Sequence, residues 1–378
     1  MIVINARFLT QELRGVQRFA EQIALHLKAL RDDLVVVCPP GIRMHASAEA
    51  LGAQVIGSHG GHLWEQWDLP RYLARQGKPL LLSLCATAPL FYRNQLATHH
   101  DITYVRHPAS YSRAFRTSYR LMTPQLLRAA RGLITVSQFS QREISEFYGY
   151  PSERILVVPN AVSEAFQPGE PIQPEPRYLL AVSSPSAHKN FARMISAFLA
   201  LKGMDHVELR IVGGGGGIFA NAGLEQQANA DPRIRWLGRL SDEALIAQYQ
   251  GASAFVFPSL YEGFGIPPLE AQACGCPVLA ANAASIPEVL QSSALYFDPL
   301  DVEHMTRAMA LALSNVTVRQ HLRTLGLHNV ARFSWEQSAQ LISDRLDLLL
   351  QNPQGRSNPQ NNKTPTTLKR ALSAEEHP

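Results

Sequence analysis

Two glutamates with seven residues between them carry the clearest chemical signal in this sequence. The segment 259–289 reads SLYEGFGIPPLEAQACGCPVLAANAASIPEV and contains Glu262 and Glu270. Gly263 and Gly265 permit a tight turn close to a ligand, and the two prolines that follow suit the first turn of a helix. We therefore predict Glu262 in a loop after a strand and Glu270 in the first turn of a helix, both on one side of a cleft. Ionised carboxylates placed there would accept hydrogen bonds from the vicinal hydroxyls of a sugar or ribose.

The turn between the glutamates is also predicted to bind an anion. The backbone N–H groups of residues 264–267, of which Pro267 has none, precede or open the helix, where N–H groups and the helix dipole favour a phosphate or a sugar hydroxyl. Taken alone, Glu270 is explained as well by helix capping and Glu262 by a solvated loop. The whole string favours ligand binding.

Two other segments carry a lysine and a His–Asp pair that could bind a ligand; the lysine follows a predicted strand, and the pair lies mid-domain before a proline-terminated loop. In SSPSAHKNFARMISAFLAL (183–201), Lys189 precedes a helix that Asn190 is expected to cap. A lysine beside a helix N-terminus suits a diphosphate, with a solvated surface lysine as the alternative. In ATHHDITYVRHP (97–108), His100 and Asp101 suit proton transfer and hydroxyl binding. A His–Asp pair that only orders its loop is an equal alternative.

Glycines at two further positions carry weaker signals. Gly15, in RGVQRFAEQIA, begins the first predicted helix, either as a turn glycine or facing a phosphate. The run IVGGGGGIFANAG (211–223) satisfies almost any glycine pattern. A glycine loop that binds a dinucleotide would need an acidic residue at the end of a second strand. Asp231 instead lies before the predicted strand 234–238. We interpret the run as a loop that rims the ligand site.

The elements that position these residues are short apolar runs alternating with helical patterns, which is typical of parallel sheets covered by helices. Apolar runs are found at 1–6, 34–38, 80–84, 133–137, 155–159, 178–183, 207–213, 234–238, 253–259, 277–281 and 294–297. Since ligands of such sheets bind at the carboxyl ends of strands, we expect the chemistry in a cleft between two domains.

A proline-rich segment divides the two series of strands and helices. The predicted organisation is a first Rossmann-like domain over 1–165, a linker over 166–177, a second over 178–334, a C-terminal helix over 335–350 and a disordered polar tail over 351–378. The C-terminal helix is expected to pack back on the first domain.

Composition excludes several classes of protein. The 378 residues are 46% apolar and 17% charged, which excludes fibrous and fully disordered chains, and the length suits two domains. No apolar run is long enough for a membrane span, and the first residues do not resemble a secretory signal. The four cysteines lack metal-site spacing and are expected to be buried in a reducing cytoplasm.

The net charge of +4 is uneven along the chain. Residues 1–165 carry 18 Lys and Arg against 12 Asp and Glu. Six arginines and no acidic residue occur from Arg106 to Arg131, interleaved with aromatic and aliphatic side chains. A solvated helix face is one explanation, but the absence of acids favours an anionic membrane surface or a lipid diphosphate. No motif of a nucleic-acid-binding fold accompanies the charge, so we expect no nucleic acid.

The string EGFGIPPLEA, with the G-PV that follows it, resembles the E-x(7)-E motif of retaining glycosyltransferases of family 4. The resemblance implies an α/β chain of GT-B fold, with two facing Rossmann-like domains and a deep interdomain cleft. It also implies that Glu262 contacts the sugar of the donor substrate and that Glu270 binds the nucleotide ribose. The backbone of Phe264, Gly265 and Ile266 is placed near the donor sugar and diphosphate.

Other motifs extend the resemblance. Lys189 with Asn190 is similar to the family's lysine motif for the donor phosphates, and His100 is similar to the histidine that faces the donor sugar. Gly15 is similar to a glycine near the phosphates. Many relatives carry an arginine six residues before the lysine, where this chain has Ser183. The stretch 107–144 resembles a subgroup that builds bacterial surface polysaccharides, which makes GDP-mannose the favoured donor.

We therefore expect a cytoplasmic retaining glycosyltransferase, peripheral on the inner face of the membrane. It would move a hexose from a nucleotide diphosphate sugar to a hydroxyl of a growing, lipid-linked glycan. No cofactor and no metal are expected. The alternatives are a GT-B nucleotide-sugar epimerase and a non-catalytic sugar-nucleotide-binding protein. A nicotinamide dehydrogenase is a third alternative, which the glycine pattern supports poorly.

Overall fold

Two parallel β-sheets, each covered by helices, make up this protein. The computed structural model describes residues 1–169, 176–182, 186–213, 226 and 228–352. The strands are almost entirely buried, as expected for parallel sheets packed on both faces. The prediction of two Rossmann-like α/β domains is confirmed.

The first sheet has the strand order β3-β2-β1-β4-β5-β6-β7. Its strands are β1 (Ile2–Asn5), β2 (Leu34–Cys38), β3 (Gln54–Val55), β4 (Leu80–Ser83), β5 (Gln95–Thr98), β6 (Gly132–Thr135) and β7 (Ile155–Val157). The order reverses between β1 and β4, which opens a crevice at the carboxyl ends of these strands.

The second sheet repeats this arrangement, with the order β10-β9-β8-β11-β12-β13. Its strands are β8 (Tyr178–Val182), β9 (Glu208–Val212), β10 (Ile234–Gly238), β11 (Ala254–Phe257), β12 (Val278–Ala281) and β13 (Ala294–Phe297). Here the order reverses between β8 and β11, so the loops after these two strands border the second crevice.

The α-helices follow the strands in alternation. They are α1 (Gly15–Leu30), α2 (His45–Ala50), α3 (Leu69–Arg75), α4 (Thr103–Arg106), α5 (Arg113–Ala129), α6 (Gln138–Tyr148), α7 (Phe191–Leu199), α8 (Asp242–Gly251), α9 (Ile266–Ala273), α10 (Ile286–Leu290), α11 (Val302–Ser314), α12 (Val316–Val330) and α13 (Trp335–Gln351). The helical turn Gly61–Leu63 and the π-helical turn Trp64–Asp68 lead into α3.

Strand β5 was not predicted, because its sequence QLAT is half polar. In the structure Gln95 is fully buried, and its Nε2 donates to the carbonyl groups of Pro89 at 2.7 Å and Tyr92 at 2.6 Å. Thr98 Oγ1 donates to the Ser83 carbonyl at 2.8 Å. Since these polar groups are satisfied, burying them is tolerated.

Helix α13 lies against α1 of the first domain. Arg31 Nη1 is 2.7 Å from Asp347 Oδ1, Ser338 Oγ donates to the Pro159 carbonyl at 2.7 Å, and the rings of Phe19 and Trp335 are 6.1 Å apart. The chain therefore returns to the first domain after completing the second. Within the predicted linker and tail, residues 170–175 and 353–378 lie outside the described residues.

Two features of the described residues bear on the sequence expectations. All four cysteines are buried and free. None of the described helices combines the length and apolarity needed to cross a membrane.

Candidate active site

Glu262 and Lys189 meet at the crevice of the second sheet. Lys189 ends a 3₁₀ turn after β8, and Glu262 lies on the loop after the neighbouring strand β11. Lys189 Nζ donates to Glu262 Oε1 over 2.6 Å, and the two side chains are 17% and 13% exposed. A short, largely buried ion pair at a strand-order reversal can exchange one partner for an anion or a hydroxyl of a ligand.

The loop of residues 262–266, called the glycine loop below, presents free backbone donors. Gly265 has φ +93°, and a Cβ there would lie 3.3 Å from the Phe257 ring, so glycine is required. No acceptor among the described residues binds the N–H groups of Gly263, Phe264 or Gly265. These groups stand beside the N-terminus of α9, which adds positive partial charge.

Glu270 occupies the second turn of α9, one turn further into the helix than predicted. It accepts a hydrogen bond from the Tyr249 hydroxyl at 3.2 Å. The residue keeps part of its surface exposed, yet desolvation by the surrounding protein raises the pKa of Glu270 to about 7. The nearby Arg18 guanidinium opposes this shift. Near neutral pH this carboxyl is therefore poised between its two protonation states.

Both glutamates face groups of the first domain. Arg18, on α1, acts on Glu270 and pairs with Asp242 of the second domain over 3.1 Å. Burial and the negative charges of Asp101 and Glu262 together raise the pKa of Tyr111, which belongs to the first domain. The structure thus brings both carboxylates to the cleft between the domains.

His100 follows β5 and is buried against α1. Its ring packs edge-on against Phe19 at 5.0 Å, and no described residue binds its Nε2 atom. Burial lowers the pKa of His100 to about 4, so the imidazole is neutral at pH 7. His99 instead contacts the Tyr104 hydroxyl inside the first domain. A buried, unpartnered ring nitrogen suits His100 to a ligand hydroxyl.

Asp101 orders the loop after β5 and touches the glycine loop. It accepts hydrogen bonds from the backbone and the hydroxyl of Thr103. A Cβ on Gly263 would lie 2.8 Å from Asp101 Oδ2. Any side chain at position 263 would therefore force Asp101 or the glycine loop to shift, which explains glycine at a position of ordinary backbone conformation.

Gly15 opens α1 and faces the second domain. A Cβ at this position would lie 3.9 Å from Ile266 Cδ1, at the start of α9. The N-termini of α1 and α9 thus approach each other across the cleft. Their dipoles both direct positive partial charge into it, which favours an anionic ligand.

Asn190 behaves differently from its predicted role as a capping side chain. It occupies the N-cap position of α7 in a left-handed conformation, but it does not cap the helix. Its buried amide donates instead to the carbonyl groups of Pro258 at 3.1 Å and Pro299 at 2.7 Å. These two hydrogen bonds hold the turn that carries Lys189. Because both N–H groups of the Asn190 amide are used within the protein, neither is free to bind a ligand.

Sequence reasoning missed two residues beside the glutamates and two serines near the glycine loop: Arg18, Tyr249, Ser137 and Ser285. The Ser137 signal was present, because the serine follows β6 directly at the carboxyl edge of the first sheet. Ser183 and residues 214–223 of the glycine-rich run lie outside the described residues. Across the described ranges, no group of three or more His, Cys, Asp or Glu is arranged to hold a metal.

The arginine-rich segment 106–131 divides into two groups. Arg106 is bound by both carboxylate oxygens of Glu143, at 2.6 and 2.9 Å, and Arg131 Nη2 donates to the Leu349 carbonyl at 2.7 Å. The other four arginines lie on α5. Because each residue of an α-helix is rotated by about 100° from the one before, these four side chains start from a sector of about 120° around the helix axis. They are Arg113, Arg116, Arg120 and Arg128.

Two family models cover most of the chain. Residues 13–166 match the model described as Glycosyltransferase Family 4, and residues 162–326 match that of Glycosyl transferases group 1. Over 254 residues the chain is 30% identical to O-antigen chain mannosyltransferase B of Escherichia coli, covering 64% of this chain and 67% of that protein. The chain belongs to glycosyltransferase family 4. It is accordingly a transferase enzyme.

Further relatives of this glycosyltransferase carry similar names. It is 29% identical to O-antigen chain mannosyltransferase RfbU of Salmonella typhimurium, over 91% of this chain and 99% of that one. It is 32% identical to the serotype-specific mannosyltransferase WbdA of Escherichia coli, of which it spans only 31%.

Solved structures agree on the GT-B fold of this glycosyltransferase. Sucrose-phosphate synthase from Thermosynechococcus elongatus superposes with a TM-score of 0.71 at 18% identity, over 93% of this chain and 99% of that one. Anabaena Alr3699/HepE in complex with UDP-glucose superposes with a TM-score of 0.71 at 18% identity, over 92% of this chain and 99% of that one.

Proposed function

We propose that this glycosyltransferase moves mannose from GDP-mannose to a hydroxyl of a bacterial surface glycan, with retention of configuration. The observation that carries the proposal is the 2.6 Å pair of Lys189 and Glu262 beside the unpaired N–H groups of the glycine loop. A cation, amide donors and a carboxylate at one strand-order reversal match a diphosphate joined to a sugar. The mannosyltransferase relatives support the choice of sugar.

Each residue has a role in this proposal. Glu270 accepts hydrogen bonds from the ribose hydroxyls, and Lys189 neutralises the diphosphate as it leaves. Glu262, released from Lys189, accepts hydrogen bonds from the sugar hydroxyls, and the neutral His100 binds another. The bond from the anomeric carbon to the phosphate oxygen breaks, the acceptor oxygen takes its place, and the acceptor proton leaves with the diphosphate or to solvent.

We propose no metal or cofactor for this step. The charge on the leaving diphosphate is offset by Lys189, by the amide groups of residues 263–265 and by the N-termini of α1 and α9. Fixed dipoles and charges that need no rearrangement lower the barrier effectively when they are oriented before the reaction. Addition of EDTA is therefore expected to leave the rate unchanged.

A donor panel tests the proposal. We expect GDP and GDP-mannose to raise the melting temperature more than UDP, dTDP and their sugars, and Glu270→Ala to reduce the shifts for GDP and UDP alike, because it removes the ribose contact that the two share. Transfer from GDP-mannose to an O-antigen-type mannan acceptor is then measured with Glu262→Gln as the inactive control. Release of free nucleotide with sugar isomerisation and no acceptor would instead identify an epimerase. Stabilisation by none of the nucleotides would overturn the donor site.

We further propose that α5 contacts an anionic membrane surface that carries a lipid-linked acceptor, which would place the enzyme on the cytoplasmic face. Its four grouped arginines have no acidic neighbour on the helix, and Leu121 beside them is 64% exposed. Basic side chains near an anionic surface contribute about 1 kcal/mol each. Liposomes containing phosphatidylglycerol should pellet the protein, and neutral liposomes should not. Equal pelleting with the two lipids, or an unchanged result for Arg113→Glu/Arg120→Glu, would remove this proposal.

A further inference from the structure

Three consecutive carbonyl groups of the glycine loop are held by buried serine hydroxyls. Ser285 Oγ, from the second domain, lies 2.9 Å from the Glu262 carbonyl oxygen and 3.2 Å from that of Phe264. The carbonyl group between them, on Gly263, is bound by serines of the other domain. Ser137 Oγ donates to it over 2.6 Å, and Ser140 Oγ lies 3.2 Å away.

These contacts determine where the amide groups of the loop point. The carbonyl of Gly263 and the N–H of Phe264 belong to one planar trans peptide and point in opposite directions. Peptides beside glycine rotate readily, since glycine tolerates most backbone angles. A hydroxyl that holds the Gly263 oxygen therefore directs the Phe264 N–H away from the first domain's serines. The same reasoning applies to the peptides on either side.

Ser137 is placed for this task by its own helix. It is 1% exposed and caps α6, where its Oγ accepts the N–H of Ser140 at 3.0 Å. A hydroxyl accepts and donates at the same time, so the cap leaves its proton available for Gly263. The cap thus fixes the oxygen of Ser137, and the hydrogen bond to the loop uses its remaining donor.

A carboxylate of the second domain adds a second contact with the N-terminus of α6. Glu288 accepts the N–H groups of Gln138 at 2.7 Å and Phe139 at 2.8 Å, at the N-terminus of α6. An anion at a helix N-terminus is stabilised by the free N–H groups and the helix dipole. In both contacts the first domain supplies the donors and the second domain supplies the acceptors, so all of these hydrogen bonds depend on how the two domains are placed.

We propose that Ser137 is a positioning residue of the transfer reaction, which orients the glycine loop through the Gly263 carbonyl when the two domains close. The loop carries Glu262 and the amide groups that face the donor substrate, so domain closure and the completion of the donor site become one event. As far as the substrate is concerned, this inference rests on the proposed function. In this proposal Ser137 acts through the Gly263 carbonyl and is assigned no contact with the substrate or the reacting atoms.

The variant Ser137→Gly tests the proposal with little cost to folding. Glycine is accepted at a helix N-cap with a loss of only a few tenths of a kcal/mol, yet it has no hydroxyl. Ser334→Gly is the matched control, because Ser334 caps α13 through Gln337 and forms no hydrogen bond with the glycine loop in the described structure. Kinetics with GDP-mannose and hydrogen exchange of a peptide spanning residues 262–266 are measured for both variants.

We expect Ser137→Gly to lower kcat by about 10- to 100-fold, since small misplacements of catalytic groups have effects of this size. KM for the donor should change by less than about threefold, and amide exchange in the glycine loop should accelerate while the melting temperature stays close to that of the parent protein. Ser334→Gly should retain the parental kcat and exchange. A Ser137→Gly variant with parental kcat and parental exchange would overturn the proposal.

The exchange measurement separates this inference from the proposed function. If the parent protein does not turn over GDP-mannose, the donor assignment fails, but faster exchange in Ser137→Gly still supports the role of Ser137 in the loop. Glu288→Gln provides an independent check, because it removes the charge at α6 without altering Ser137. Loop exchange should rise in that variant too, and unchanged exchange in both variants would contradict the coupling to closure.

Discussion

The guanidinium group of Arg18 forms an ion pair with Asp242 across the interdomain cleft, with Nη2 and Oδ2 3.1 Å apart. The two side chains are 20% and 48% exposed, so the pair adds at most about 1 kcal/mol to stability. Its larger effect is electrostatic, because the Arg18 charge also reaches Glu270. The first domain thereby adjusts the protonation of a carboxyl in the second.

Arg18→Ala should raise the pKa of Glu270 further above its already raised value, because the opposing charge is lost. The pH at which GDP affinity is half-maximal should then move upward. Isothermal titration calorimetry between pH 5.5 and 8.5 measures this. Arg14→Ala is the control, because Arg14 is 69% exposed and pairs with Glu12. Superimposable profiles for Arg18→Ala and the parent protein would refute the prediction.

Glu270 should make stability fall as pH rises. Its pKa is about 7 in the folded protein against 4.5 for an ordinary glutamate, so the folded state holds more protons between these values. Raising the pH through that window therefore lowers the free energy of unfolding. Glu270→Gln has no such titration, so its melting temperature relative to the parent should increase from pH 5 to pH 8 by about 2 °C or more. A constant difference across this range would show that Glu270 titrates normally.

Nucleotide binding should respond to pH in the opposite direction. A protonated Glu270 is a weaker acceptor for ribose hydroxyls, so GDP affinity should increase as pH rises from 6 to 8. Measured by calorimetry at constant ionic strength, the increase should vanish in Glu270→Gln. If the GDP affinity of Glu270→Gln still increased with pH, another group would be responsible for the pH dependence.

Lys189→Ala should lower kcat by about 100-fold, since it removes the cation beside the leaving diphosphate and leaves Glu262 without its partner. Lys189→Arg retains the charge and should retain more activity than the alanine variant. In the double variant Lys189→Ala/Glu262→Gln, the two losses should be less than additive, because the groups contact each other. Full additivity in steady-state kinetics would indicate that the pair does not act together.

Gly265→Ala should impair both folding and activity. The residue has φ +93°, and the added Cβ would lie 3.3 Å from the Phe257 ring, so the strain costs about 1–3 kcal/mol. Gly149→Ala is the matched control, with φ +62° and open space around the Cβ. Both variants should melt at a lower temperature, but only Gly265→Ala should lose transfer activity. Full activity in that variant would show that the glycine loop tolerates a different path.

Much of the fold follows from the sequence alone. Apolar runs such as LVVVC and LLLSL predict buried parallel strands, because a strand covered on both faces needs no polar alternation. The same logic fails for β5, whose Gln95 and Thr98 are buried because they donate hydrogen bonds to carbonyl groups outside the strand. Local patterning records which side chains are apolar but not which polar groups will find partners.

The sequence by itself determined the residue types of the proposed donor site, because Glu262, Glu270 and the glycines between them are close neighbours whose spacing decides where they lie on a turn and a helix. Tertiary structure alone decided which groups act on them. Lys189 meets Glu262 from 73 residues away, Arg18 reaches Asp242 from 224, and Ser137 reaches Gly263 from 126. Such contacts depend on how two sheets and two domains are placed, and no local periodicity encodes that placement.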